Sequence, residues 1–321
     1  MVFRWIISTG AALLFVACSG VSDKTDTRAA QCDVSILVLG VAQDGGKPQI
    51  ANPDDPAWVD PSLQRQATSL ALIDRRNDKT QRWLFEATPY IKEQLQRLDV
   101  TAPTDRKIGI DGIFLTHAHI GHYVGLMMLG HESAGAQNII TYAMPRMADF
   151  LNENGPWNQL VKYHNILLAI MSEGETETLT ENLSVTPFLV PHRQEFSEVA
   201  GYQIQGPEKS VLFIPDIDSW EDWDKEGVRI EDKIAKVDIA YLDATFFANG
   251  EIPGRDMSGF PHPFVSHSME RFANLPPDEK AKIRFIHMNH TNPLHDPDSK
   301  ERKAVLKAGF NIAEEGEELC L

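Results

Sequence analysis

The chain has 321 residues, which suits one large domain or two fused halves, and 42% of them are hydrophobic, enough for a buried core. The formal net charge of −16 and the sequence pI of about 5.1 argue against a nucleic-acid partner, because binding phosphates requires a concentrated cationic surface. The acidic balance otherwise indicates solubility rather than a particular function.

The N-terminus has the pattern of an export signal. Arg4 precedes an apolar stretch that ends at Cys18 and is too short to span a membrane comfortably. Residues 15–18 resemble a bacterial lipobox, with Phe15 where that pattern usually has Leu. We therefore expect a lipoprotein signal peptide over residues 1–18, with Cys18 as the lipidated residue. A plain cleaved signal with an incidental cysteine is the alternative.

This signal implies an exported, periplasmic protein that is anchored to a membrane by lipid. Ser19, next to Cys18, favours the outer membrane, residues 19–31 would be a polar tether, and residues 32–321 the folded domain. Cys32 and Cys320 lie near the two ends of that domain and could pair in an oxidising periplasm. Two separate thiols are the interpretation that we prefer.

Apolar runs and turn residues predict the elements of the domain in chain order. The predicted strands cover residues 34–39, 69–73, 83–86, 113–115, 139–143, 165–170, 183–190, 200–205, 211–214, 239–242 and 283–286. The predicted helices cover residues 88–98, 123–129, 146–151, 266–274 and 299–308. Residues 173–181 are acidic and rich in Thr, which is typical of a solvated loop. Strands dominate each half, so we predict an α/β sandwich of two sheets with helices outside.

Three histidines follow the predicted strand 113–115 within six positions. They are His117, His119 and His122. Imidazole is the commonest protein ligand for zinc and similar metals, and this spacing seldom serves another physical purpose. Three ordinary surface histidines are the alternative, but the cluster predicts a metal site at this strand end.

Three later strands also end in groups that bind metals. His192 follows residues 183–190, Asp216 follows residues 211–214, and His287 and His290 follow residues 283–286. Histidines with a carboxylate suit zinc, iron or manganese. A bound metal lowers the pKa of its water and polarises a scissile carbonyl or phosphoryl oxygen, which is the chemistry of a hydrolase.

The order of these motifs resembles the metallo-β-lactamase superfamily. Residues 117–122 correspond to its H-x-H-x-D-H motif, and His192, Asp216 and His290 to its later histidine, bridging aspartate and final histidine. The resemblance implies a four-layer αββα sandwich that binds one or two Zn²⁺ ions, with iron or manganese as alternatives. It assigns one metal to His117, His119 and His192, a second to His122 and His290, and the bridge to Asp216. Asp216 and His122 are the expected catalytic residues.

One position departs from this motif. Gly121 stands where the family has an aspartate that binds the second metal. We therefore expect a mononuclear enzyme or a weak second metal, completed by water, by Asp218 or by Asp243. Asp243 is the preferred substitute. The equally open alternative is that Asp243 caps a helix or a turn.

The remaining histidines near the motifs have simpler interpretations. If the chain stays extended after residues 283–286, His287 and His290 lie on opposite faces. With His290 assigned to the metal, His287 is then predicted to be a supporting or core group. His262 and His267 lie in a segment rich in Gly, Pro and Ser, and we interpret them as surface-loop histidines, with a place at the pocket mouth as the alternative.

Within the superfamily, residues 38–49 and 287–294 resemble the pyrroloquinoline-quinone biosynthesis B family. Members of that family often have cysteines soon after the Pro-Gln pair for a structural zinc, and residues 51–58 contain none. Synthesis of the quinone cofactor also begins from a cytoplasmic peptide, which fits an exported protein poorly. The chain is therefore interpreted as an exported relative of this family.

These features predict a metal-dependent hydrolase in which metal-bound hydroxide attacks an ester, amide or phosphoester of a small molecule. Arg193, directly after His192, is a candidate for binding an anionic substrate group, with an ion pair to Glu195 or Glu198 as the alternative. Two other functions remain open. One is an iron-dependent oxygenase linked to quinone cofactor metabolism, and the other is a non-catalytic binding or carrier protein. No pattern indicates an oligomeric state.

Overall fold

Two β-sheets of seven strands each form the centre of the computed structural model, which describes residues 1–2 and 32–321. The strands of this described part are β1 (Val34–Gly40), β2 (Ser69–Asp74), β3 (Gln81–Phe85), β4 (Gly112–Phe114), β5 (Ile139–Ala143), β6 (Ile166–Ile170), β7 (Glu177–Thr180), β8 (Leu183–Leu189), β9 (Ala200–Gln205), β10 (Ser210–Ile214), β11 (Ile239–Asp243), β12 (Ile283–Ile286), β13 (Asn311–Ile312) and β14 (Glu318–Cys320).

The helices lie mainly in the segments that connect the parallel strands of each sheet. They are α1 (Ile91–Thr101), α2 (Ile120–Tyr123), α3 (Pro145–Glu153), α4 (Asn158–Lys162), α5 (Trp220–Lys225), α6 (Ile230–Ile234), α7 (Val265–Arg271), α8 (Pro277–Lys282) and α9 (Lys300–Lys307). Short 3-10 helices cover Pro56–Trp58, Pro61–Leu63, Val124–Leu129 and Pro293–His295. None of the helices in residues 32–321 is long and apolar enough to cross a bilayer.

The two sheets have the same internal arrangement. The first has the strand order β14-β1-β2-β3-β4-β5-β6. Its neighbouring strands are antiparallel from β14 to β3 and parallel from β3 to β6. The second has the order β13-β12-β11-β10-β9-β8-β7. Its neighbouring strands are parallel from β13 to β10 and antiparallel from β10 to β7. Parallel pairing requires crossover segments, which is why helices separate the strands of these regions.

The sheets pack face to face around an aromatic core. Phe85 of β3 lies 5.5 Å from Tyr202 of β9 and 6.0 Å from Phe213 of β10, measured between ring centres. On the outer face of the first sheet, Ile91 of α1 and Met147 of α3 pack in a second hydrophobic cluster. The layers are therefore helix, sheet, sheet and helix, which confirms the predicted αββα sandwich.

Most predicted strands form within one or two residues of their expected bounds, but residues 173–181 are not a loop throughout. Within them β7 pairs antiparallel with β8, with Glu177 opposite Val185 and Thr178 opposite Ser184. The prediction was wrong because an edge strand needs only one paired side, so it tolerates the acidic and polar residues that suggested a solvated loop.

The preference for two separate thiols was also wrong. Cys32 and Cys320 form a disulfide with a Cα–Cα distance of 5.2 Å. The pairing of β14 with β1, in which Cys320 lies opposite Ser35, brings the two cysteines together. Most of the predicted signal peptide and all of the tether fall on residues 3–31, which lie outside the described residues.

Candidate metal centre

The candidate site lies where the carboxyl ends of several strands from both sheets meet. In the first sheet β1, β3 and β4 run in the same direction, and in the second sheet β8, β10, β11 and β12 do. The segments that leave these strands therefore emerge at one edge of each sheet. They carry Asp44, Glu86, the cluster 117–122, His192, Asp216, Asp243 and His287.

The first ligand group contains His117, His119, His192 and Asp216, as the sequence predicts. Each offers one donor atom, and these atoms lie within 4.8 Å of one another. His192 Nε2 is 3.1 Å from His119 Nδ1 and 3.7 Å from Asp216 Oδ1, and His117 Nε2 is 3.5 Å from Asp216 Oδ2. Except for His119, whose side chain is partly exposed, these residues are buried.

The second group contains Asp44, His122 and His287. His122 Nε2 lies 3.3 Å from Asp44 Oδ1 and 3.2 Å from Asp216 Oδ2. His287 Nε2 lies 3.8 Å from Asp44 Oδ1 and 3.7 Å from Asp216 Oδ2. Asp216 therefore stands between the two groups, in the bridging place that the family resemblance implies.

The position expected for His290 is occupied by His287. His287 has a left-handed backbone, with φ of 67°, so the chain does not continue as an extended strand after β12. The alternation of faces that made His287 a supporting group ends there, and the imidazole of His287 turns toward Asp216. His290 lies instead near Lys47, whose Nζ donates to the His290 carbonyl oxygen.

Asp218 does not take the place left open by Gly121. Its Oδ1 lies 2.7 Å from His192 Nδ1 and 3.6 Å from Arg193 Nε. The carboxylate therefore lies behind the His192 ring, whose Nε2 faces His119 and Asp216. Arg193 pairs with Asp218 rather than with Glu195 or Glu198, the predicted alternatives.

Asp243, the preferred substitute, lies within ligand distance of Asp216 and His287. Both of its oxygens are engaged, however: Oδ1 accepts from the Thr245 backbone and hydroxyl, and Oδ2 from the Ile217 backbone. These bonds match the turn-cap alternative. His122 does not contact Asp243, so the carboxylate nearest to the second group is that of Asp44.

Glu86 and Thr116 hold two of the histidines in place. The Thr116 hydroxyl donates to Glu86 Oε1 over 2.5 Å and lies 2.8 Å from His117 Nδ1, while His122 Nδ1 lies 3.1 Å from the same carboxylate oxygen. This network assigns the protons to both Nδ1 atoms and leaves both Nε2 atoms free as ligands. Glu86 is fully buried and has a φ of 77°, a strained conformation that packing maintains.

The charges around the site favour a bound cation. Burial lowers the pKa of His117 well below its usual range, so this ring is neutral. Burial alone would raise the pKa of Asp216, but the surrounding histidines, chiefly His287 and His192, hold it well below its usual range. For His122, the carboxylates of Glu86, Asp216 and Asp44 outweigh burial and raise the pKa well above its usual range. The surroundings of His122 therefore favour a cation.

The donor set fits a divalent metal. Buried atoms in both groups have no hydrogen-bond partner, namely His117 Nε2, His122 Nε2, His287 Nε2, Asp216 Oδ1 and Asp44 Oδ1. Buried polar atoms are almost always paired, so their convergence requires an explanation. Imidazole nitrogens and carboxylate oxygens are the ligands that zinc, iron and manganese accept.

A cleft of about 400 Å³ opens onto the site. Arg193, Phe246, Phe260 and His262 line it together with Asp44 and His119. The surface-loop interpretation of His262 was wrong, because it is buried with Nδ1 2.8 Å from Asp243 Oδ2 and 3.2 Å from Asp216 Oδ1. His267 is exposed, as expected.

A larger cavity of about 810 Å³ lies elsewhere in residues 32–321. Among its charged side chains, Arg97 pairs with Glu315 and Arg302 with Glu314. None of the three candidate ligand groups in the described chain lines it. The smaller cleft is therefore the candidate functional site.

Comparison with known proteins agrees with this geometry. Residues 81–288 match the family described as "Beta-lactamase superfamily domain". Coenzyme PQQ synthesis protein B of Xanthomonas campestris pv. campestris is 26% identical to the chain, over 89% of this chain and 99% of that protein.

Two solved structures are similar to the fold. The crystal structure of Zn²⁺-bound PqqB from Methylobacterium extorquens has a TM-score of 0.73 at 23% identity, over 89% of this chain and 100% of that one. A diphosphatase from the PhnP family has a TM-score of 0.61 at 22% identity, over 90% and 98%. The chain therefore belongs to the β-lactamase superfamily, with a metallo-β-lactamase fold and a PqqB-like sequence.

Proposed function

We propose that this protein is a metal-dependent hydrolase that cleaves an ester, amide or phosphoester bond in a small molecule. The observation that carries the proposal is the convergence of unpartnered, buried donor atoms beside an open cleft. A divalent metal, with zinc as the first choice, would be held by His117, His119, His192 and Asp216. It would lower the pKa of a water molecule and polarise the oxygen of the scissile group.

Other side chains supply positioning and proton transfer. Asp216 is ionised and faces both ligand groups, so it can accept a hydrogen bond from a water molecule between them. Burial would lower the pKa of His262, but the nearby charges of Asp243 and Asp216 raise it. A protonated imidazole at the cleft can donate to a leaving group.

The cleft favours a substrate with an anionic group. Arg193 is 43% exposed, and its guanidinium lies 3.4 Å from His192 Nε2 and 3.5 Å from His262 Nε2. A guanidinium in this position can bind a carboxylate or phosphate with two parallel hydrogen bonds. Phe246 and Phe260 offer an apolar wall for the rest of the molecule. The structural similarity to a protein described as a diphosphatase supports a phosphoester as the first choice.

The test compares hydrolysis of bis(p-nitrophenyl) phosphate and of neutral p-nitrophenyl acetate by the zinc-loaded protein. His119→Ala should abolish both activities, whereas Arg193→Ala should raise KM for the phosphate ester more than for the acetate. His267→Ala, an exposed histidine near the cleft loop, is the matched control and should leave both rates unchanged. Full activity of His119→Ala would contradict the proposal.

A second candidate is an iron-dependent oxygenase linked to quinone cofactors. The similarity to coenzyme PQQ synthesis protein B favours it, and a site of histidines and one carboxylate also suits Fe(II). Protein expressed in iron-rich medium should then contain iron and consume oxygen in the presence of a quinone precursor. Iron-free protein that hydrolyses esters would decide for the hydrolase.

We also propose that the protein is exported and lipid-anchored through Cys18. The apolar segment before Cys18 supports this, and so does the Cys32–Cys320 disulfide, because disulfides persist in oxidising compartments. Membrane fractionation with labelled palmitate should show a labelled protein that Cys18→Ala releases into the soluble fraction. An unlabelled, soluble wild-type protein would contradict it.

A further inference from the structure

We propose that Asp44 supplies the carboxylate ligand of a second metal ion, in place of the aspartate that the superfamily motif carries at position 121. This inference rests on the proposed metal site but not on the proposed reaction. The second group consists of Asp44, His122 and His287, with Asp216 shared between the groups.

Gly121 and Asp44 compete for the same space. A Cβ atom built on Gly121 would lie 2.0 Å from Asp44 Oδ1, 2.5 Å from Asp44 Cα and 2.7 Å from Asp44 Cγ. Two of these atoms belong to the carboxyl group itself, so no side chain at position 121 is compatible with Asp44 where it stands. The absence of aspartate from the motif and the presence of Asp44 are therefore two parts of one exchange.

Backbone hydrogen bonds fix the position of Asp44 relative to His287. The Met288 N–H donates to the Val41 carbonyl, over 2.9 Å, and the Gln43 N–H donates to the Met288 carbonyl, over 2.8 Å. These bonds join the segment after β1 to the segment after β12 as a short parallel bridge. Asp44 follows directly, so its side chain and that of His287 reach the same place without a flexible connection.

The atoms of this second group match the ligand set of a divalent cation. His122 and His287 are fully buried, and the Nε2 atom of each has no hydrogen-bond partner. The Asp44 side chain is 35% exposed, yet its Oδ1 atom, which faces both rings, is buried and unpartnered. An unpaired carboxylate oxygen facing two ring nitrogens matches the ligand chemistry of zinc.

The experiment counts metal ions by equilibrium dialysis of the metal-free full-length protein against Zn²⁺, with Co²⁺ absorption as a second readout. The wild-type chain should bind two ions. The nearly isosteric Asp44→Asn variant should keep the first ion and bind the second ion more weakly. Loss of an outer hydrogen-bond partner typically reduces metal affinity by ~10- to 100-fold, and the loss of affinity for the second ion should be larger than this. Asp54→Asn removes a carboxylate from an exposed site nearby and should leave both ions in place.

A wild-type chain with a single ion, or an Asp44→Asn chain that binds the second ion as tightly as the wild type, overturns the assignment. Ester hydrolysis is measured in parallel. Two ions in a wild-type protein without hydrolysis would count against the proposed reaction and leave this inference standing, so the two failures can be distinguished.

Discussion

The Glu86 carboxylate offers the sharpest test of how the histidines are oriented. Its Oε1 accepts from the Thr116 hydroxyl and faces His122 Nδ1, and its Oε2 accepts from the Thr116 backbone N–H over 3.3 Å. In Glu86→Gln, one of these positions holds an NH₂ group. With the amide oxygen at Oε1, the NH₂ group faces the Thr116 N–H, and with the amide flipped it faces His122 Nδ1–H. Either orientation brings two donors together.

The expected cost follows from these contacts. The lost hydrogen bonds to a charged acceptor, in a fully buried place, correspond to about 1.5–3 kcal/mol of folding free energy. Because Glu86 fixes the proton on His122 Nδ1, the substitution should also weaken metal binding. Loss of such an outer partner typically reduces metal affinity by about 10- to 100-fold.

Metal affinity is measured by competition with a chromophoric chelator, and folding free energy by urea denaturation of the metal-free protein. Asp74→Asn is the matched control, because Asp74 is also a fully buried carboxylate but pairs with Arg76 at the opposite end of β2. It should lower stability and leave metal affinity unchanged. Wild-type metal affinity in folded Glu86→Gln, or an equal loss in Asp74→Asn, would refute the reasoning.

Three further predictions concern stability. Burial lowers the pKa of His295 to about 4, so as pH falls from 6.5 toward 4 the unfolded state takes up the proton first and stability should decrease by about 3 kcal/mol. Urea denaturation at several pH values should show this slope in the wild type and a shallower one in His295→Gln; equal slopes would contradict it. Replacing Cys32 and Cys320 by Ser removes a cross-link between residues 288 positions apart and should lower the free energy of unfolding by up to about 5 kcal/mol, with no further change on adding a reductant. Tyr202→Phe removes the buried donor to the Leu115 carbonyl and should cost about 1–3 kcal/mol, measured by thermal denaturation, whereas a neutral result would show that water replaces the bond.

The sandwich was predictable because each of its main strands can be recognised from its own short stretch of sequence. Runs such as β1, whose seven residues are all buried, are too apolar to lie anywhere but between two layers. The edge strand β7 and the disulfide were not predictable in the same way. Both depend on which strand lies next to which, and only the completed sheets place Cys320 beside the start of β1.

The first ligand group was predictable because each member follows a strand that ends at the same edge. The order of the family motifs indicated His290, and the alternation of an extended chain then made His287 a supporting group. The positive φ of His287 cancels that alternation, for a local reason. The sequence did not indicate Asp44 and Glu86 as site residues, for a different reason. Their partners lie 30 or more residues away, and the signal that could have found them is only an acidic residue within four positions of the end of an apolar strand.

The two sheets contribute to the site in a way that links metal binding to packing. His117, His119 and His122 leave the first sheet, while His192, Asp216 and His287 leave the second. Neither sheet alone supplies both ligand groups, so the donor atoms converge only after the aromatic core between the sheets has formed. A bound ion would then stabilise the packed state, because it binds the folded chain and finds no comparable site in separated sheets. The relocation of a carboxylate from the histidine motif to the segment after β1 preserves this arrangement, since both positions belong to the first sheet and face the same donors of the second.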